Sequence, residues 1–274
     1  MIKREGVLSV VRLEQIVKIF NKGTVDETTL FDHFSFQVEE GEFVSLIGSN
    51  GSGKTTLLNL ICGSVAPDAG KIFYGDRDIT PLEEHKRAKY IGRVFQDPSA
   101  GTCAGLTILE NMALADNKNK PYGLGRAVNR KRQDYYRELL SRCGMGLENR
   151  MEVPVGNLSG GQRQALALVI ANMTDISLLI LDEHTAALDP KSSEIIMELT
   201  DKLVREKQIT TLMVTHNLRF AVEYGSRLVM MDSGKAILDI KDREKTQCRV
   251  EELVKIFNDI SIERFYSQNR KSVI

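Results

Sequence analysis

The run Gly48-Ser49-Asn50-Gly51-Ser52-Gly53-Lys54-Thr55 constrains this chain more than any other stretch. It fits GxxxxGK[ST] and stands between an apolar segment, Phe43 to Ile47, that reads as a buried strand, and a helix-forming stretch, Thr55 to Cys62. A strand-to-helix turn is the context this pattern requires. Its glycines let backbone N–H groups turn inward around phosphate oxygens, and the helix offers the positive end of its dipole to the same anion. Lys54 is expected to neutralise β/γ-phosphate charge and the Thr55 hydroxyl to ligate Mg²⁺, with Thr56 next to it on the helix. The bland alternative is a glycine-rich surface turn; a chance match is expected in roughly 1% of chains of this length.

The rest of the pattern agrees with an α/β chain. Val7 to Leu13, Ile16 to Phe20 and Phe34 to Val38 read as short strands of an antiparallel edge sheet, the last with period-two alternation. A turn at Ala66 to Gly70 leads to a strand at Lys71 to Tyr74, and Thr80-Pro81 with Glu83 forms a capping box that predicts a short helix. Ile91 to Phe95 is strand-like. From Asp97 to about Asn157 the texture becomes helical and charge-rich, with helices expected at Leu106 to Ala115 and Arg126 to Arg142, the second carrying a basic, solvated face. A helix (Gly160 to Asn172), an apolar strand (Leu178 to Leu181), a helix opened by Asp189-Pro190 and a strand (Thr210 to Val214) follow. Continuous apolar strands alternating with helices mean a parallel sheet covered on both faces. The chain closes with a strand pair around Ser233-Gly234, Leu228 to Met231 and Ala236 to Ile240. A final helix carries Val250, Leu253, Val254 and Phe257 on one stripe, and its polar end, Ser267 to Lys271, is expected to fray.

Leu178 to Leu181 ends in Asp182-Glu183, and the carboxyl ends of strands are where doubly wound sheets place their ligands. Beside a phosphate loop, Asp182 is expected in the Mg²⁺ shell and Glu183 as the group that orients and deprotonates the attacking water. Without that loop, two such acids would read as a solvated turn.

Leu158-Ser159-Gly160-Gly161-Gln162 is expected by chance in fewer than about one chain in a thousand, and it resembles the signature of the ATP-binding cassette (ABC) ATPases. The resemblance covers residues 8 to 240. It implies a P-loop NTPase (RecA-like) α/β fold: a parallel sheet with an antiparallel β subdomain and an inserted helical subdomain. It places the ATPase domain at 7–240, with the helical part at about 97–157, and a C-terminal helix and tail at 241–274. Gln96, after strand Ile91 to Phe95, stands as the glutamine that follows the γ-phosphate and shares the metal shell. Ala186 to Asp189 looks like the D-loop, His216 like the switch histidine, and Phe20 like the aromatic that stacks on adenine. His184 departs from the proline more usual after the catalytic glutamate and receives no catalytic role.

A helix opened by Ser159-Gly160-Gly161 is a second anion-binding N-terminus. The resemblance implies that Ser159, Gly160, Gly161 and Gln162 meet ATP held by a second copy, with Asp189 also reaching across, so that two chains sandwich two ATPs. It further implies integral-membrane permease subunits docked near Asp97 to Ala115, a substrate-binding lipoprotein, and a place on the cytoplasmic face of the cell membrane. The amphipathic residues there, Leu106, Ile108, Leu109, Met112 and Leu114, are equally compatible with internal packing. The runs Gly92 to Pro98 and Leu181 to Pro190, His184 included, resemble a bacterial group described as tryptophan/tyrosine or related amino-acid uptake ATPases. The alternatives are an exporter subunit or a soluble ABC protein acting on nucleic acid or ribosomes.

Charge argues against the last of these. In 274 residues, 37 Lys+Arg balance 37 Asp+Glu, without the basic excess of a general nucleic-acid binder. No apolar run is long enough to cross a bilayer, and the N-terminus lacks a secretory pattern, so a cytosolic chain is expected. Cys62, Cys103, Cys143 and Cys248 are scattered without zinc or disulfide spacing and read as buried or incidental thiols.

Overall fold

A computed structural model of the chain describes residues 9–118, 120 and 128–271. The expected strand start at Val7 and helix start at Arg126 lie outside the described residues. In chain order the elements are β1 (Ser9–Phe20), β2 (Thr28–Glu39), β3 (Phe43–Gly48), α1 (Lys54–Cys62), β4 (Ala69–Tyr74), β5 (Arg77–Asp78), α2 (Glu84–Arg87), β6 (Ile91–Val94), α3 (Ile108–Asp116) and α4 (Gln133–Ser141). They continue with α5 (Gly160–Ala171), β7 (Leu178–Asp182), α6 (Pro190–Lys207), β8 (Thr210–Val214), α7 (Leu218–Glu223), β9 (Arg227–Asp232), β10 (Lys235–Lys241), α8 (Asp242–Gln247) and α9 (Val250–Lys271).

The central sheet has the order β10-β9-β3-β8-β7-β6, parallel except for β10. Strand β3 is buried at all six positions, as its unbroken apolar run requires with strands on both sides and layers on both faces. The second sheet, β2-β1-β4-β5, is antiparallel throughout. Its apolar residues Val11, Leu13, Phe34 and Phe36 share one core with α1 and with Val44 and Leu46 of β3. On the other face, α3, α4 and α5 share a core with α6, β7 and β8. Arg227 ties the sheets together. Buried at the start of β9, it bonds Asp239 of β10 at 2.7 Å, Glu42 before β3 at 3.2 Å and the Gln37 carbonyl of β2 at 2.9 Å.

Four expectations need correction. The two N-terminal strands are one, β1, because Gln15 takes φ +50° and absorbs a bulge, so a single strand pairs with both β2 and β4. The Thr80 capping box does not form: the Thr80 hydroxyl bonds the Ile72 N–H at 2.8 Å, and the helix begins only after Glu83. Between Asn129 and Arg142 the basic segment is a 3₁₀ turn at Arg130–Arg132 followed by α4, shorter than expected. On α9, Leu253 is buried and is joined by Ile256, Phe257 and Ile260, whereas Val254 is exposed; the helix runs on through the polar end to Lys271. Ile108, Leu109 and Met112 of α3 are core residues and Leu114 alone of that segment is an exposed large hydrophobe. Cys62, Cys143 and Cys248 are buried and Cys103 is exposed.

Candidate active site

Parallel pairing brings the functional strand ends to one edge. Leu46 pairs with Val214, Asp182 with Val214 and Val94 with Leu181, so the segments after β3, β6, β7 and β8 emerge side by side. This is the crevice where doubly wound sheets bind ligands.

The loop after β3 closes around its own lysine. Lys54 Nζ donates to the carbonyls of Gly48 at 2.8 Å and Ser49 at 3.0 Å. Burial lowers the Lys54 pKa below the usual ammonium value, against the opposing pull of Glu183 and Asp182. Gly53 caps α1 at φ +107° with no side-chain bond, and no acid stands in the first turn, so the helix start offers its N–H groups to an anion. Gly48 is fixed by a close approach: a Cβ there would lie 2.3 Å from the Met231 carbonyl of β9.

Sequence reasoning missed the wall behind this loop. The Gly234 N–H donates to the Ser52 carbonyl at 3.0 Å, and Ser49 Oγ donates to Asp232 Oδ1 at 3.3 Å. The turn between β9 and β10, read from the sequence only as a hairpin, thus buttresses the phosphate loop. The one available signal was Asp-Ser-Gly after an apolar strand, which any hairpin also shows.

Glu183 follows β7 in the left-handed region, φ +50°, its N–H bonded to the Val214 carbonyl at 3.0 Å. This turns its carboxylate onto His216, with Glu183 Oε1 2.7 Å from His216 Nε2. Both line a cleft of about 550 Å³ with Thr185, Leu188 and Asn217. A larger cleft of about 900 Å³ lies beside Phe43, Ile209 and Ser226, at the amino ends of the strands. The carboxyl-end cleft belongs to the candidate site, because Glu183 and His216 line it and the phosphate loop follows β3 at the same edge of the sheet.

Asp182 accepts a 2.6 Å bond from Arg93 of β6. Gln96 is exposed just beyond β6, and the preceding Phe95 carbonyl accepts from the buried Gln164 of α5 at 3.1 Å. Thr55, Gln96 and Asp182 are all hard oxygen donors suited to Mg²⁺. No cluster of three or more His, Cys, Asp or Glu able to hold a metal occurs among the described residues.

Phe20 ends β1 and is 38% exposed, and the Lys18 ammonium lies 5.6 Å from its ring centroid. Lys18 is held by the Ala66 carbonyl at 2.9 Å and Asp68 at 3.1 Å.

Ser159 and Gly160 are exposed at the start of α5, beside the D-loop: a Cβ on Gly160 would touch Leu188 at 3.4 Å, and one on Gly161 would meet Ser192 of α6 at 3.3 Å. Ser159 Oγ accepts from the Gln162 N–H, and Gln162 Oε1 accepts from the Ser159 N–H, a complete capping box. The Gln162 amide also donates to the Met145 carbonyl, so this side chain is engaged within its own chain. Asp189 is exposed and caps α6 through the Ser192 N–H; the Ser192 hydroxyl and this N–H hold its carboxyl below the usual range. His184 is buried, its Nε2 3.2 Å from Thr200 Oγ1 of α6, and burial brings its pKa down to about 4.

With this geometry in hand, similarities to known proteins carry weight. Residues 31–186 match the family described as ABC transporter. The tyrosine transport ATP-binding protein of Clostridioides difficile strain R20291 is 46% identical over 246 residues, 90% of this chain and 98% of that protein. A dimeric ATP-binding cassette solved in a post-hydrolysis state with ADP and Pi is 30% identical, with TM-score 0.72 over 85% of this chain and 99% of its own. An ABC transporter cassette in its ADP conformation is 26% identical, with TM-score 0.75 over 94% and 98%.

Proposed function

The chain belongs to the ABC transporter family as an ATP-binding, ATP-hydrolysing cassette, and from that premise we propose that it drives import of an amino acid, with tyrosine as the first candidate. The observation that carries the cargo class is the 46% identity to a tyrosine transport ATP-binding protein across nearly all of that protein's length. Among the described residues no helix is long and apolar enough to cross a membrane. On this reading the chain works with a membrane-spanning permease, docked near Asp97 to Ala115 on the cytoplasmic face, and with a substrate-binding lipoprotein that delivers the cargo.

The chemistry follows from the residues. Gly48 to Thr56 present N–H groups and the Lys54 ammonium to the β- and γ-phosphates of ATP, while Phe20 stacks on the base. Thr55, Asp182 and Gln96 would hold Mg²⁺, which would supply neutralisation of the phosphate charge. Glu183 takes the proton of the attacking water, and His216 holds Glu183 in place and faces the γ-phosphate. Ser159, Gly160 and Asp189 are exposed together around the start of α5 and the start of α6, whereas Gly161, expected beside them, is buried and the Gln162 side chain is engaged within its own chain. The placement of the three exposed residues supports their use in trans, against the ATP of a second copy. Loss of the γ-phosphate then removes the anion that joins the two faces, and the dimer opens.

The reading is tested by uptake of labelled tyrosine, tryptophan and a branched-chain amino acid in cells with the native protein, no protein or Glu183→Gln. Loss of tyrosine uptake in both defective strains is the expected result. Unchanged uptake of all three would remove the amino-acid assignment and leave the ATPase assignment standing.

A further inference from the structure

Arg93 makes a contact that the reaction as described does not use. It pairs across the sheet with Ile180, and Asp182, two residues further along β7, shares that face. Its guanidinium reaches Asp182 Oδ2 through Nη2 at 2.6 Å and Asn59 Oδ1 of α1 through Nη1 at 3.0 Å. The guanidinium carbon stacks 4.7 Å from the Phe95 ring centroid, next to Gln96. The Arg93 and Asp182 side chains are only 13% and 14% exposed, so water screens this pair weakly. The structure thus fastens a permanent cation to the carboxylate that the proposed function gives to Mg²⁺.

A cation bound at Asp182 must share that carboxylate with a guanidinium or displace it, and either lowers the carboxylate's hold on the metal. Displacement is further resisted because Arg93 is anchored at two other points, Asn59 and Phe95. We propose that Arg93 is a positioning residue that keeps Asp182 ion-paired in the metal-free chain and weakens Mg²⁺ capture, so that the nucleotide phosphates decide when the cation is retained. The inference rests on the assignment of Asp182 to the Mg²⁺ shell. Its consequence is that metal and phosphate leave together: once the phosphates depart, Arg93 reclaims the carboxylate.

The test is a Mg²⁺ titration of fluorescent ATP-analogue binding to the purified full chain, starting in chelator, with Mn²⁺ paramagnetic resonance as an independent readout of metal occupancy. Arg93→Met keeps the stem against Phe95 and removes the charge. It is expected to lower the Mg²⁺ midpoint by about three- to tenfold while affinity in chelator stays within about twofold. Arg93→Gln supplies a second neutral side chain should the methionine variant fail to fold. Arg93→Lys restores the charge and is expected to return the midpoint to within about twofold of native, which a packing role would not predict. Intact nucleotide binding with an unmoved or raised midpoint in the neutral variants would overturn this inference alone. Failure of the native chain to bind nucleotide would overturn the site assignment and the inference with it.

Discussion

Glu183 and His216 meet at 2.7 Å, Oε1 to Nε2, although one follows β7 and the other β8. Two groups in such contact act as a unit. Glu183→Gln is expected to keep ATP affinity while lowering turnover by about 100-fold or more, leaving a stable ATP-bound dimer in light scattering. His216→Ala should also lower turnover, and the double variant should be no slower than the slower single one. Multiplicative losses in steady-state ATPase rates would show that the two act separately.

Lys54 binds the Gly48 and Ser49 carbonyls and is the buried cation of the phosphate loop. Lys54→Ala is expected to weaken ATP by about 100-fold, because a charge-assisted contact is removed from a site water reaches poorly. Phe20→Ala should cost only about 3- to 10-fold, the worth of one stacking contact, and Phe20→Trp should restore it. Calorimetric titration separates the two effects, and equal losses at both positions would count against the stacking role.

Gly234→Ala probes the wall behind the loop. At φ +76°, a Cβ on Gly234 would fall 1.7 Å from the Leu30 carbonyl, so the turn must move and carry its bond to Ser52 with it. The expected outcome is a loss of about 3 kcal/mol of stability or more, together with weakened ATP binding. Melting with and without ATP measures both. Native ATP affinity in this variant would show that the turn does not support the loop.

His184 gives the chain an acid sensitivity. Its imidazole titrates near pH 4 when folded, against an ordinary value of 6.5, so the unfolded state binds the proton first. This contribution to stability is fully present above about pH 6.5 and falls as the pH drops toward 4, by about 2 kcal/mol at pH 5. His184→Gln, which keeps a polar partner for Thr200, should flatten the decline in denaturant midpoints between pH 7 and 5. Parallel curves for the two proteins would remove His184 from the account.

The phosphate loop, Asp182, Glu183 and His216 were legible because each lies on or just after an apolar strand, where local pattern and chemistry coincide. The β1 bulge was hidden because Glu14-Gln15 interrupts the apolar pattern as a loop would. Thr80 was misread because its hydroxyl had two possible uses, a helix cap and a strand edge, and tertiary pairing chose the second. Gly234 and Arg93 were invisible for a different reason. Their partners, Ser52 and Asp182, are set by sheet order and parallel register, which no local pattern encodes. The Gln162 side chain shows the reverse limit: the motif named the residue, and the structure shows its amide engaged within its own chain.

The position of β3 sets a schedule for biosynthesis. Both strands that flank it, β8 and β9, are made long afterwards; the Thr210 hydroxyl that binds the Gly41 N–H stands 169 residues downstream. At roughly 5–20 residues per second, the phosphate-loop strand waits on the order of ten to thirty seconds for a neighbour. A nascent chain therefore emerges with the loop translated but unframed, and it gains the power to hold a nucleotide only once β8 and β9 have been made.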